Sequence, residues 1–410
     1  MNVIAAKIAI CLLCFAFLGL ALFQKKRIAA LAEGLSAPVW VGLLCFFFRL
    51  IPFSIVFLAL GIHPTSDVNG FWQMATQAAE GKLVYRDFWS PYSPFYSYLL
   101  AVGAWLWPNP RVVVLTMIIL EAVAVLASLS YFKKIIPRSE LFFRALLYFL
   151  LPGSLILCVI GAQEDIWIWM FFVLALLVRR KTGSTVAYAL ILALGILTTK
   201  VIFVLFLVPL FLIEKNKIGF LWPLALVGTA SLAILYATTG TEFLQPIGEA
   251  DTLRAPNLVS VLNPWMFNHL GMGKGFWNWI GLLATVLSGC LVALDRRSEP
   301  FEVHAARIFI TLYATLMIVQ QSAYSNYLFI FLLPLTLAFL DFGNRKVVLL
   351  FFLYNVVCTI HPSYWWRAGM PKYYQPADVF SGSTALIDYS LQLTIIILTL
   401  YFIRVKRFEG

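Results

Sequence analysis

Charge is what this chain has least of. Only 12% of its 410 residues are Asp, Glu, Lys or Arg, while 62% are hydrophobic. A soluble domain of that length carries about a quarter charged residues, so a water-facing globule is excluded. Cysteine is also scarce. Cys11, Cys14, Cys45, Cys158, Cys290 and Cys358 all fall inside apolar runs, which implies no disulfide framework. Cys11-x-x-Cys14 has metal-like spacing, but no second pair and no nearby histidine completes it, and it reads as packing. There is no GxxxxGK[ST] loop and no polar stretch long enough for a nucleotide-binding domain. No fixed-period repeat is visible. A net charge of +11 does not indicate nucleic acid, because the Lys and Arg sit in short clusters between apolar runs. That is how membrane topology is encoded.

What remains is a succession of apolar runs, each near the roughly 20 residues that a bilayer core accepts. They predict an all-α polytopic membrane protein, a single domain over 1–410, with about thirteen transmembrane helices: 3–23, 38–61, 112–132, 140–160, 166–178, 184–199, 201–213, 218–238, 276–295, 305–321, 326–341, 346–361 and 385–404. The run 3–23 is followed by Lys25-Lys26-Arg27 without a small-residue cleavage site, and reads as a retained helix. An outside N-terminus then places seven basic clusters on the cytoplasmic side: Lys25-Lys26-Arg27, Lys133-Lys134-Arg138, Arg179-Arg180-Lys181, Lys215 with Lys217, Arg296-Arg297, Arg345-Lys346 and Arg404-Lys406-Arg407. This topology needs two conditions. The aromatic, Pro-containing run 91–107 must lie at the interface or re-enter, and 184–213 must turn back as a hairpin with Lys200 at its tip. A single helix there would bury Lys200 at mid-bilayer. Three long segments then face outside: 62–111, 239–275 and 362–384.

The polar residues capable of chemistry gather on that outer side. In "GIHPTSDVNGFWQ" (61–73), Asp67 precedes Val68, Phe71, Trp72, Ala75, Ala78 and Ala79 at helical spacing. An amphipathic helix at the membrane surface follows over 68–80. Asp67 therefore reads either as its N-cap or as a reactive carboxylate. Glu164 and Asp165, in the outer turn "GAQED", either cap the helix that follows or act on a ligand. Lys200 is either a snorkelling turn residue or an anion-binding cation. Lys82, Arg86, Arg254 and Arg367 are outer charges that suit phosphate, anionic headgroups or solvent. His63, His269 and His361 match no metal spacing. Arg49 and Glu121, near the middle of two neighbouring spans, are expected to pair across the membrane interior. Most of the tryptophans form an aromatic belt, but Trp365-Trp366 beside Arg367 suits stacking on a sugar.

One stretch adds more. Asp67 and Phe71, then Gly81, Tyr85 and Phe88, then "SPYSPFYSYLLA", resemble the first outer loop of the polyprenyl-phosphate-sugar-dependent glycosyltransferases of the GT-C superfamily. "SPF" stands where that family has "PPL". "GAQED", the "LGILTTKVIFVLFLVPLFL" short-helix pair, "RAPNLVSVLNP" around Asn257, and "SAYSNYLFIFLLPL" are similar to later family segments. The additional helix within 1–37 departs from the usual core. The resemblance implies a GT-C-like bundle with interfacial helices in the first outer loop and a site formed by the three outer segments. It implies an inverting, mannosyltransferase-like enzyme that moves a sugar from a polyprenyl-phosphate donor to a lipid-linked or glycan acceptor. Membrane lipids would be its surroundings, with no nucleic acid, metal or other cofactor. Asp67 would be the general base, and Glu164 and Asp165 would orient the acceptor or tune Asp67. Lys200, Arg254, Arg367, Lys82 and Arg86 would meet the donor phosphate, while Tyr85, Trp365, Trp366 and Asn257 would touch sugar or lipid. The work would be done on the extracytoplasmic face of the plasma or inner membrane. Two other classes stay open: a transporter or lipid-carrier flippase, and an O-antigen-ligase- or polymerase-like enzyme using Arg367 and His361.

Overall fold

In the computed structural model, residues 3–270, 273–295 and 299–404 are described. Arg296-Arg297 and Lys406-Arg407, assigned above to the cytoplasmic side, lie outside the described residues. Among the described residues the secondary structure is helical, apart from an isolated bridge between Val84 and Phe88. Among the described residues eight helices are long and apolar enough to cross a membrane: Val3–Phe23, Ala37–Ala59, Arg111–Phe132, Lys217–Thr239, Gly275–Leu294, Phe301–Val319, Arg345–Arg367 and Ser383–Ile403. The chain is thus an all-helical integral membrane protein, since a helix satisfies its own backbone in lipid. Tyr96–Leu106, Thr185–Thr198, Val201–Ile213 and Ser325–Ala338 are apolar but shorter. Tyr96–Leu106 has 11 residues, about 16 Å of helix against a hydrocarbon core of about 30 Å.

Prolines decide where the long helices differ from the expected spans. The run 140–160 is two helices, Arg138–Leu150 and one beginning at Pro152, because Leu151 is extended (ψ 135°). A residue before proline is pushed out of the helical region. Pro362 was expected to open a loop, yet the helix Arg345–Arg367 runs through it. Its missing N–H orphans the carbonyl of Cys358, and Ser325 Oγ donates to that oxygen at 2.9 Å. The next carbonyl, Thr359, accepts from Lys7 Nζ at 2.8 Å. The short helix Lys25–Glu33 was not anticipated.

The chain, read above as one domain, groups into two compact units. The first comprises Lys26–Phe149 and Leu157–Ile247. In it, Ile166–Thr182 packs between Arg111–Phe132 and Thr185–Thr198. Trp169 stacks on Phe132 and meets Phe172 edge-on, and Phe172 meets Phe206 edge-on. The indole N–H of Trp169 donates to Ser128 Oγ at 2.8 Å, so the core carries no stranded donor there. The second unit comprises Met1–Lys25, Leu150–Ile156 and Gly248–Gly410. Phe301–Val319 lies at its centre against Lys274–Leu294, Leu328–Ala338 and Ser383–Ile403. Gly153 lets its short helix close onto Arg345–Arg367: a Cβ there would fall 2.2 Å from Asn355 Oδ1.

The expected pairing of Arg49 with Glu121 is present in the first unit. Arg49 Nε donates to Glu121 Oε2 at 2.6 Å and Nη2 to Oε1 at 2.9 Å, both side chains fully buried. Nη1 donates to the carbonyls of Phe48 (2.9 Å) and Phe149 (3.2 Å). Phe48 lies in the π-helical turn before Pro52, and Phe149 stands in the last turn of Arg138–Leu150. Tyr148 Oη donates to Glu121 Oε1 at 2.8 Å. The guanidinium also lies over the Phe149 ring, 4.6 Å from its centroid.

Candidate active site

Asp67 stands at the first position of the amphipathic helix Asp67–Ala79, which buries Val68, Phe71, Met74, Ala75 and Ala78. The carboxylate itself is exposed. The expectation that it caps the helix is not met. The cap position is Ser66, whose side chain makes no capping bond and whose φ is +62°. Asp67 still places negative charge in the first turn, where the helix dipole favours it. Its Oδ2 accepts from Gln163 Nε2 at 2.6 Å, and Ser66 Oγ lies 3.5 Å from Oδ1.

Gln163 comes from the turn "GAQED". Ala162 there takes φ +47°, a left-handed conformation uncommon for a non-glycine residue. The Gln163 backbone N–H is tied to the Leu157 carbonyl at 2.8 Å. The next two residues do not cap the helix Ile166–Thr182 with their side chains; its cap position, Asp165, makes no such bond. Both instead hold Lys200. Lys200 Nζ is 2.7 Å from Glu164 Oε1 and 2.6 Å from Asp165 Oδ1, with both acids buried. Glu164 Oε2 and Asp165 Oδ2 meet no donor among the described residues, and neither does the buried hydroxyl of Tyr96.

Lys200 sits at the break between Thr185–Thr198 and Val201–Phe206, as the short-helix pair predicted. The break is pinned by backbone bonds from Ser93 N–H to Thr199 O (3.1 Å) and from Phe95 N–H to Leu197 O (2.9 Å). Gly195 permits this tight packing, because a Cβ there would meet the Phe203 ring at 2.6 Å and Phe171 at 2.7 Å. Tyr92 stacks on Tyr96 at 4.1 Å between centroids, and Phe71 meets both edge-on at 5.4 Å. Lys200 Nζ lies 5.5 Å from the Tyr92 centroid. Phe71, Tyr92 and Tyr96 therefore join the Asp67 helix to Lys200 within one unit.

Burial governs the acids. It disfavours charge on Glu164, and neighbouring Asp165 adds repulsion. Lys200 pulls the other way, and the net effect pushes Glu164 up to about 7. Burial likewise raises Asp165 against the pull of Lys200. Asp87 behaves oppositely. Exposed and bonded first to Arg86 and then to the Leu83 N–H, it is held down to about 2. Arg86 is thereby paired at 2.9 Å, and Lys82 pairs with Glu80 at 2.8 Å, both in exposed positions. Tyr85, at φ +68°, donates its hydroxyl to the Tyr92 carbonyl.

The other candidates belong to the second unit. Arg254 pairs with Glu249 at 2.7 Å and lies 4.6 Å from the Tyr324 centroid. Trp365 meets the same tyrosine edge-on at 6.0 Å. Trp365 is buried and donates its indole N–H to Pro371 O at 3.2 Å, so it is a packing residue here. Trp366 is exposed beside it, and Arg367 closes the helix. Asn257 is buried as a helix cap, accepting from the Ser260 N–H and donating to the Arg254 and Gln321 carbonyls. His361 lies 3.4 Å from Asp388, both fully buried. Asp388 also accepts from Tyr373 Oη (2.9 Å) and Gln392 Nε2 (2.6 Å). Among the described residues no group of three or more His, Cys, Asp or Glu is placed to hold a metal ion.

No protein-family model and no characterised protein sequence matches this chain. Of the expected site residues, the structure brings Asp67, Glu164, Asp165 and Lys200 together in one unit, and Arg254 and Trp365 together around Tyr324 in the other. Gln163, Tyr92, Tyr96, Tyr324 and Asp388 were missed. The signal for Gln163 was in plain view, an amide adjoining two acids in a tight turn, but acids draw attention first.

Proposed function

We propose that this protein is an inverting GT-C-type glycosyltransferase. In this reading it moves a sugar from a polyprenyl-phosphate donor to a lipid-linked or glycan acceptor on the non-cytoplasmic membrane face. The observation that carries the reading is Asp67: an exposed carboxylate at a helix start, oriented by an amide and set beside a half-buried lysine held by two buried acids. As general base, Asp67 takes the proton of the acceptor hydroxyl while that oxygen attacks the anomeric carbon and the polyprenyl phosphate leaves from the opposite side. The phosphate carries the charge released by the broken bond and calls for cations. Lys200 is held by Glu164 and Asp165, so it serves the phosphate by exchanging one carboxylate for it. An acid that titrates near neutrality makes that exchange inexpensive. Lys82 and Arg86 add positive charge in the same unit, and Arg254 and Arg367 are separate candidates in theirs. The reading includes about thirteen crossings with an outside N-terminus, interfacial helices in the first outer loop, and residence in the plasma or inner membrane. The Arg49–Glu121 pair, with its bonds already made, gives no support to an ion pathway and hence to a transporter.

The test is transfer by purified protein supplied with a panel of polyprenyl-phosphate sugars and a membrane glycolipid extract. Asp67→Asn is expected to lower transfer by about 10²- to 10⁴-fold with folding intact by thermal unfolding. Full activity of that variant would move the base to Asp165. No transfer with any donor would revive the transporter reading.

A further inference from the structure

We infer that Gln163 is the positioning residue for Asp67. This inference rests on the reading of Asp67 as the base. The amide is placed by its own turn: Ala162 at φ +47° reverses the chain, and the Gln163 N–H anchors it on Leu157 O. The side chain is buried. Its nitrogen donates both to Asp67 Oδ2 at 2.6 Å and to the Gly161 carbonyl at 3.1 Å. A carbonyl oxygen only accepts, so the amide nitrogen must face Gly161, and that fixes which end of the amide meets the aspartate. One carboxylate oxygen is thereby held, and the exposed Oδ1 is left on the side of Ser66.

The choice of an amide matters chemically. A cation bonded to Asp67 would stabilise its charge strongly and weaken it as a base. The one lysine in this cluster is instead held 2.7 Å from Glu164 and 2.6 Å from Asp165. Asp67 thus receives a neutral donor, which orients it and stabilises its charge less than a cation would. Orientation is the larger part of such a contribution, since a displacement of about 1 Å can reduce turnover about 100-fold.

Two variants test this. Gln163→Met keeps the volume and removes the donor, and Gln163→Glu keeps the shape and introduces a second carboxylate. Each is checked for folding by thermal unfolding. Asp67 is then labelled with a carbodiimide and glycine ethyl ester across a pH series, and its peptide is quantified by mass spectrometry. Carbodiimide consumes the protonated carboxyl, and a lost donor or an added acid favours that form. Labelling is expected to persist to higher pH in both variants than in the parent. In the transfer assay, kcat is expected to fall about 10- to 100-fold, with donor KM changed less than about 2-fold, and the acid limb of the pH profile moves to higher pH. If Gln163→Met does not fold, Gln163→Glu carries the labelling test alone. Parent-like labelling in the folded variants overturns the inference whatever Asp67→Asn does. A raised KM with unchanged kcat overturns it too. Full transfer by Asp67→Asn instead overturns the base assignment, and labelling then still decides whether Gln163 holds that carboxylate.

Discussion

Two buried charge clusters lie in the same unit and are built to opposite standards. Around Arg49, both oxygens of Glu121 receive the guanidinium, one of them also receives Tyr148, and the remaining guanidinium bonds go to two helix carbonyls. Around Lys200, two acids share one ammonium, and an oxygen of each is buried without a donor among the described residues. The first cluster is closed: every strong acceptor in it is used, as buried charge requires. The second holds more acid than cation and has a member that titrates near neutrality. Charge buried with saturated bonds serves the fold, while charge buried with bonds to spare can respond to what binds.

That contrast can be broken by mutation, beginning with the largest effect. Arg49→Leu or Glu121→Leu alone leaves an uncompensated charge in the interior and should destabilise by about 3–5 kcal/mol. The double variant should be milder than either single, as read by thermal unfolding in detergent. Simple additivity would mean the two are not energetically coupled. Lys200→Met should be less damaging than Glu121→Leu, on the order of 1–3 kcal/mol, because its carboxyl partners can take up a proton whereas the guanidinium left by Glu121→Leu cannot shed one. A loss as large as that of Glu121→Leu would make the Lys200 cluster a second structural staple. The smallest effect is in pH. Glu164 is raised from 4.5 to about 7 on folding, so between those values the native state binds more protons than the unfolded chain. Stability then falls as pH rises through that window. The parent should lose about 2–4 °C of melting temperature across it relative to Glu164→Gln. A parallel course for the two proteins would place the titration elsewhere.

Much of the fold was legible because long apolar runs have one use, and Val3–Phe23, Lys217–Thr239 and Ser383–Ile403 end close to where hydropathy changes. The Arg49–Glu121 pair was legible for the same reason: two opposite charges stranded in lipid-length helices must find each other. The break at Leu151 was not, since Pro152 lies within an unbroken apolar run and hydropathy is blind to backbone sterics. At the site, Asp67, Glu164, Asp165 and Lys200 stood out as rare charges. Their partnership did not, because it depends on the left-handed Ala162 and on loop residues 92–96, which carry no charge. Trp365 and Asn257 looked like ligand contacts from their neighbours in sequence. Their burial follows from a helix continuing past Pro362, whose freed carbonyl Ser325 meets, and from the bond of Asn257 to the distant Gln321 carbonyl.

The bond from Lys7 to Thr359 has a consequence in time. The two residues are 352 positions apart, and at about 5–20 residues per second a ribosome needs roughly 20–70 s to travel that distance. Throughout that interval the lysine has been synthesised and its acceptor has not. The helix Val3–Phe23 therefore waits with its one ammonium drawn toward water by its flexible stem. It becomes fixed only when the helix Arg345–Arg367 emerges to receive it. The helix Val3–Phe23 is thus synthesised long before the carbonyl that holds its lysine exists.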